Sequence, residues 1–242
     1  MNRGIQAAAS GMRAFQTQLD VIANNLANIN TNGYKSDGVA FADRLNRSLV
    51  IGPGPFARNV GELGGGAEVS ARFTEQTAGP SVNTGGALDA MLEEASHFFA
   101  VRTPQGIRYT RDGAFTLNAN NELVTKSGHP VLDQTGDPIQ IPIGATPSLT
   151  PDGRVVADEV EVGLIGVFQG QFEKAGENLW IGNGQQADNP RLLVGSLEGS
   201  NVNAVQSMVE MILLMRQFEG AQRAVRTQDE LYEKLIGSLA NR

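Results

Sequence analysis

Residues 211–239 read MILLMRQFEGAQRAVRTQDELYEKLIGSL, in which Met211, Leu214, Phe218, Ala221, Val225, Gln228, Tyr232, Leu235 and Leu239 recur at alternating spacings of three and four. Gln228 is the one polar member of that series. A helix with such a seven-residue repeat presents a narrow apolar stripe, the geometry of a coiled-coil seam. The start of the chain does the same, with Ile5, Ala8, Met12, Phe15, Leu19, Ile22, Leu26 and Ile29 at the same spacings. Neither stripe can be covered by its own helix. The two ends are therefore expected to pair with each other, with their outer faces packed on neighbouring molecules.

Between the ends the sequence reads as β. All ten prolines fall between Pro53 and Pro190, and 23 of the 29 glycines between Gly52 and Gly199. Both residue types punctuate strands and are avoided inside helices. Short alternating segments such as Phe98–Arg102, Ala114–Leu117, Glu122–Val124 and Val162–Phe168 follow one another with Gly, Asn and Asp between them, the pattern of an all-β meander or sandwich. The fold class is thus mixed α and β: an all-β centre flanked by terminal helices that pair as a coiled coil. The pattern divides the chain into an N-terminal helical segment (1–33), an extended arm or loop (34–66), a β-rich domain (67–199) and a C-terminal helix (200–242). Residues 4–29 form the first helix, and Asn30-Thr31-Asn32-Gly33 stops it, with Gly33 suited to a left-handed turn. Val39–Leu49 reads as a short helix or an extended arm, and the glycine-rich stretch from Gly52 to Gly66 as a loop. Ser200 or Asn201 is the expected N-cap of the second helix.

Bulk properties narrow the function. The net charge is −7, and residues 41–200 hold 11 Lys/Arg against 19 Asp/Glu, a balance of −8. No basic patch exists to recruit nucleic acid. The absence of cysteine excludes disulfides and thiolate chemistry. No apolar run is long enough to span a membrane, and the first residues lack the apolar core of a cleaved signal.

Candidate chemistry is sparse. His97 and His129 are the only histidines, and no carboxylates cluster with them at ligand spacing, so no metal or cofactor is expected. Glu93-Glu94 are adjacent and diverge on either a strand or a helix, which reads as a solvated pair rather than an acid/base couple. Asp112-Gly113 and Asp152-Gly153 lack the later ligands of a calcium loop and read as turns. Gly64-Gly65-Gly66 lacks the Lys and Ser/Thr of a phosphate loop. An enzyme is not expected. A hydrolase would require Asp112 or Asp152 to face another acid across a cleft, and an adhesin-like β module with helical anchors is the remaining alternative.

Three longer stretches carry a resemblance. Asp20-Val21-Ile22-Ala23-Asn24-Asn25-Leu26-Ala27-Asn28-Ile29-Asn30-Thr31-Asn32-Gly33-Tyr34-Lys35 closely resembles the N-terminal signature of the bacterial flagellar axial proteins, the rod, hook and hook-associated subunits. Tyr109-Thr110-Arg111-Asp112-Gly113-Ala114-Phe115-Thr116-Leu117, followed by Glu122-Leu123-Val124, resembles the β-domain motif of the rod and hook proteins. Leu197-Glu198-Gly199-Ser200-Asn201-Val202-Asn203, with Met208–Ile212 and Arg216–Glu219, resembles the C-terminal segment of that family. One departure is visible: Glu94-Ala95-Ser96-His97 stands where the family generally has Gly-x-Gly before the aromatic pair, with one residue more. The resemblance implies a rod subunit whose terminal helices form an inner coiled coil lining an axial channel, with the β domain outside. It implies self-assembly, contact with other axial proteins, passage through the flagellar type III export apparatus without a cleaved signal, and a place in the periplasmic rod. The modest length and the wording of 197–202 lean towards the proximal rod, while Asn24–Lys35 suits the distal rod equally. The motif residues it singles out are Asn24, Asn25, Leu26, Asn28, Thr31, Gly33, Tyr34, Ser200, Asn201 and Val202.

Overall fold

The structure is a computed structural model that describes residues 3–51 and 58–240, except for the side chains of 3–6, 43–65, 235 and 238–240. The expected Gly52-Pro53-Gly54-Pro55 loop and the side chains of Ile5, Leu235 and Leu239 lie outside the described residues. The chain divides into two compact units. One gathers the chain up to Leu26, Asp37–Phe73 and everything from Ala204, and the other holds Ala27–Ser36 and Thr74–Asn203.

In the first unit, α1 (Arg3–Ala27) precedes two long strands, β1 (Asp37–Ile51) and β2 (Arg58–Thr74), which pair as a two-stranded sheet, and α2 (Ala204–Ala240) closes the chain. A proline-free run rich in alanine and unbranched side chains lets α1 form. It ends two residues before the expected limit, so Ile29 lies in the turn that follows, half-buried. On α1, Ala14 and Ile22 are buried, and Met12, Phe15, Leu19 and Leu26 are half-buried. On α2 (37 residues, about 55 Å at 1.5 Å per residue), the less exposed positions are Ala204, Ser207, Met211, Leu214, Phe218, Ala221, Val225 and Gln228. They keep the three–four spacing, and Leu214 is buried. Tyr232 is exposed.

Of the two readings of Val39–Leu49, the extended one holds, and Gly64–Gly66 lies in a strand rather than a loop. The stretch after residue 36 is strand in both directions, and β2 runs through Gly64–Gly66 to Thr74. Glycine-rich sequence weakens a strand, because it supplies no side chain to pack. Here the missing side chains are used: a Cβ on Gly38 would collide with the Phe73 ring, and one on Gly66 with the Ser10 hydroxyl of α1. The helix cap also moves. Helix α2 begins at Ala204, three residues beyond Asn201, because Ser200 and Asn201 are engaged elsewhere.

The second unit is built of thirteen short strands. They are β3 (Ser81–Asn83), β4 (Ala90–Leu92), β5 (His97–Thr103), β6 (Gly106–Thr110), β7 (Phe115–Leu117), β8 (Leu123–Thr125) and β9 (Pro147–Leu149). The rest are β10 (Arg154–Ala157), β11 (Val160–Leu164), β12 (Val167–Gly176), β13 (Leu179–Gln186), β14 (Leu192–Val194) and β15 (Ser196–Glu198). Strands β12, β13, β6 and β5 close into a small barrel, and β11, β10 and β9 form a three-stranded sheet. The pairs β14–β4, β15–β3 and β7–β8 are antiparallel.

Strand β5 divides the core by the two-residue period of a strand. Phe98 and Ala100 enter an aromatic cluster with Tyr109, Phe172 and Trp180, and Phe99 and Val101 enter an aliphatic one with Leu123, Val131, Val155 and Ile165. In the aromatic cluster, Phe98 lies 4.6 Å from Phe172 and 5.2 Å from Trp180, ring centroid to centroid. Tilted contacts at that range add to simple burial.

Candidate functional site: a buried ionic junction of three chain segments

At one end of the β unit three charged side chains meet out of contact with water. Lys35, Arg111 and Glu198 are each 1% exposed. Oε1 of Glu198 accepts hydrogen bonds from Lys35 Nζ at 2.5 Å and from the Gly79 amide at 2.9 Å. Its Oε2 accepts from Arg111 Nε at 2.7 Å and lies 2.6 Å from Nη2, a two-pronged pairing of guanidinium with carboxylate. Arg111 Nη1 donates to the carbonyls of Glu94 and His97, each at 2.5 Å, and Lys35 Nζ donates to the Thr77 carbonyl at 2.7 Å. The departure segment 94–97 thus folds back as the carbonyl lid over Arg111, and His97 opens β5.

The backbone is drawn in as tightly as the side chains. The Gly33 amide donates to the Glu198 carbonyl at 2.7 Å. Gly33 has φ of +65°, and a Cβ there would stand 2.6 Å from the Arg111 carbonyl carbon. The left-handed conformation and the close approach both demand glycine at this position. Tyr34 is buried beneath Lys174, whose ammonium sits 4.1 Å from the ring centre and donates to the Lys35 carbonyl. Asn201 spans the outer rim: its Oδ1 accepts from the Ser36 amide at 2.7 Å, and its Nδ2 donates to the Glu75 carbonyl at 3.0 Å. Ser200 is buried, and its hydroxyl accepts from the Val202 amide at 3.3 Å.

Electrostatically the junction holds two cations and one anion. Burial pushes the Lys35 ammonium below its ordinary value, and the Glu198 carboxylate opposes that shift while the Arg111 charge adds to it. Burial likewise lowers Arg111, again against the pull of Glu198. Removing charges from water costs several kcal/mol per ion, recovered only when the geometry and the surrounding hydrogen bonds are good. The junction meets that condition.

Asp112, beside Arg111, is raised by burial, in spite of a bond from the Ala114 amide and the nearby Lys126 charge. A carboxyl whose folded value lies above its ordinary 3.8 stabilises the fold only at acid pH, and that contribution is lost as the pH rises above 3.8. Asp112→Asn removes this dependence. The variant should therefore gain stability relative to the native chain between about pH 3.5 and pH 6.5. Chemical denaturation at both pH values reads the difference, and an unchanged gap would refute it.

The expected motif residues divide. Gly33, Tyr34, Ser200 and Asn201 converge on the junction, and Val202 flanks it. The other motif residues lie before it in the chain. Asn25 is buried and clamps the start of β1, accepting from the Asp37 amide at 2.9 Å and donating to its carbonyl at 2.8 Å. Asn28 accepts from the Thr31 hydroxyl at 3.2 Å, Asn24 is exposed and Leu26 is half-buried on α1. Lys35, Arg111, Glu198 and Lys174, which carry the charges, were not singled out by the sequence. Three of them sit inside the quoted motif words, and a charged residue among small and apolar neighbours was the available signal.

Asp152 and Glu93 do line one cleft of about 590 Å³. Both are exposed, and Asp152 is ion-paired with Arg154 at 3.1 Å. Among the described residues no group of three His, Asp or Glu side chains could hold a metal ion, and no helix is long and apolar enough to cross a membrane.

Comparison with known proteins finds the same three segments. Residues 5–35 match the family described as flagella basal body rod protein. Residues 94–157 match the flagellar hook protein FlgE/F/G D1 domain, and residues 193–238 the flagellar basal body rod FlgEFG protein C-terminal family. Each matched segment contributes one member of the triad: Lys35, Arg111 and Glu198. The flagellar basal-body rod protein FlgG of Bacillus subtilis is 31% identical over 261 residues, covering 98% of each chain. The rod protein FlgF of Rhizobium meliloti is 32% identical over 249 residues, covering 99% of this chain and 98% of the other. FlgF of Caulobacter vibrioides is 31% identical with the same coverage. With this likeness carried from end to end, the chain belongs to the flagellar basal-body rod protein family.

Proposed function

We propose that the chain is a structural subunit of the flagellar rod, stacking helically with copies of itself and with other rod and hook axial proteins into the periplasmic drive shaft that transmits torque. The observation that carries this reading is the second apolar face of α2. Opposite the half-buried stripe, Val205, Met208, Val209, Ile212, Leu213 and Met215 remain 50–72% exposed. The first three turns of α2 therefore carry two apolar faces, with the exposed Gln206–Glu210 pair on one side between them, which suits a helix largely surrounded by protein rather than one at a surface. In this reading the α2 stripe pairs with the α1 stripe as a coiled coil around the export channel, and the outer face meets adjacent subunits. The β unit forms the outer layer and has no catalytic role. The chain travels through the type III export apparatus, inserts into no membrane and binds no nucleic acid. The wording of 197–202 favours the proximal rod.

Deleting the gene should leave cells non-motile, and electron microscopy of their isolated basal bodies should show rods that stop short. Complete rods in the deletion strain would contradict the proposal.

A further inference from the structure

The triad has a feature that stability alone does not require: its only acid comes from the end of the β unit. Among the described residues Glu198 is the one buried carboxylate, against the two buried cations Lys35 and Arg111. It lies 163 residues from Lys35 and 87 from Arg111. The short segment 196–201 supplies acceptors for five donors at once: Lys35 Nζ, the Arg111 guanidinium and the amides of Gly33, Ser36 and Gly79. It also supplies β15, the strand that pairs with β3.

We propose that the Lys35–Glu198–Arg111 cluster is a completion latch, which keeps residues 33–36 and 111–113 open until the 196–201 segment has arrived. Without Glu198, closing the junction would press two cations together in a space closed to water and orphan several buried amides. Each of those costs free energy that nothing else at the site offsets. The barrel has no such dependence. Its aromatic cluster of Phe98, Tyr109, Phe172 and Trp180 is complete without any residue from 196–201. A chain delivered N-terminus first thus forms the barrel while its junction stays open. It ties the segment after α1 to the segment before α2 only when nearly the whole chain is present. The latch rests on the geometry of this chain and holds whether or not the chain is a rod subunit.

Pulse-labelled hydrogen exchange during refolding of the full chain tests the order of events. Two reporter amides donate to partners outside 196–201: Tyr34 to the Thr31 carbonyl, and Ala90 to the Gly113 carbonyl. They should gain protection together with Leu197 and after Val101 of β5. Protection of Tyr34 or Ala90 ahead of Leu197 would overturn the latch. In the folded full-length Glu198→Gln variant, Tyr34 and Ala90 should exchange about a hundredfold faster or more, while Val101 stays protected within the folded barrel. Native exchange at the two reporters, or loss of protection at Val101, would also overturn it.

Discussion

Glu198→Gln should lower the stability of the β unit by about 3–5 kcal/mol, the cost of breaking a buried ion pair by removing one partner. The substitution preserves size and leaves Lys35 and Arg111 buried around a neutral amide. Its –NH2 group, placed on either side, meets a donor from Arg111 or from Lys35 and Gly79. Against a total stability of about 5–15 kcal/mol for a domain, such a loss moves the unfolding midpoint far enough to be unmistakable. Trp180 makes the measurement specific, since it is the single tryptophan and lies fully buried in the barrel cluster. Adding Lys35→Met to Glu198→Gln should recover part of the loss, because one of the two stranded charges is then gone. Glu161→Gln serves as the control. It breaks a 2.5 Å pair with Arg154 that is half in water, and such pairs contribute little. A midpoint for Glu198→Gln equal to that of the control would show that the junction does not depend on its charge.

Phe218→Asp should abolish motility while leaving the barrel intact. Phe218 is half-buried at the middle of the α2 stripe, next to the buried Leu214. Burying a phenylalanine contributes about 2–3 kcal/mol, and a carboxylate in its place adds a desolvation cost. In an assembly the defect repeats in every subunit, so it multiplies along the rod. Leu26→Asp on α1 should behave alike. Soft-agar swimming reads the outcome, and unchanged Trp180 emission confirms that the β unit still folds. Free swimming by both variants would mean that the stripes are not the assembly seam.

What the sequence made legible follows the range of the interaction involved. The stripes are local, since residues three and four apart on a helix share a face whatever surrounds them, and the half-buried positions of α2 fall on that spacing. Gly33 was readable for the same reason, because its left-handed turn is set by immediate neighbours. The pairing of the arm from Asp37 to Thr74 into a two-stranded sheet was not. A long two-stranded sheet needs no burial on one face to impose alternation, and Gly64–Gly66 imitates a loop until the close packing of Gly66 on Ser10 is seen. The cap of α2 was misplaced because Asn201 has a partner at Ser36, 165 residues away. The triad is the extreme case. Three charges separated by most of the chain leave no periodic trace, and only the fold brings Glu198 between Lys35 and Arg111.

The claim that the exposed face of α2 is a subunit interface is open to one direct measurement. A photo-crosslinking amino acid placed at Met208 or Ile212, both about half exposed in the single chain, captures any neighbour within reach in purified hook–basal bodies. The rod-subunit reading predicts covalent adducts at both positions, to a second copy of this chain or to another axial protein, and none in the dilute monomer. Basal bodies that lack the chain, or that contain it without adducts at either position, would contradict it.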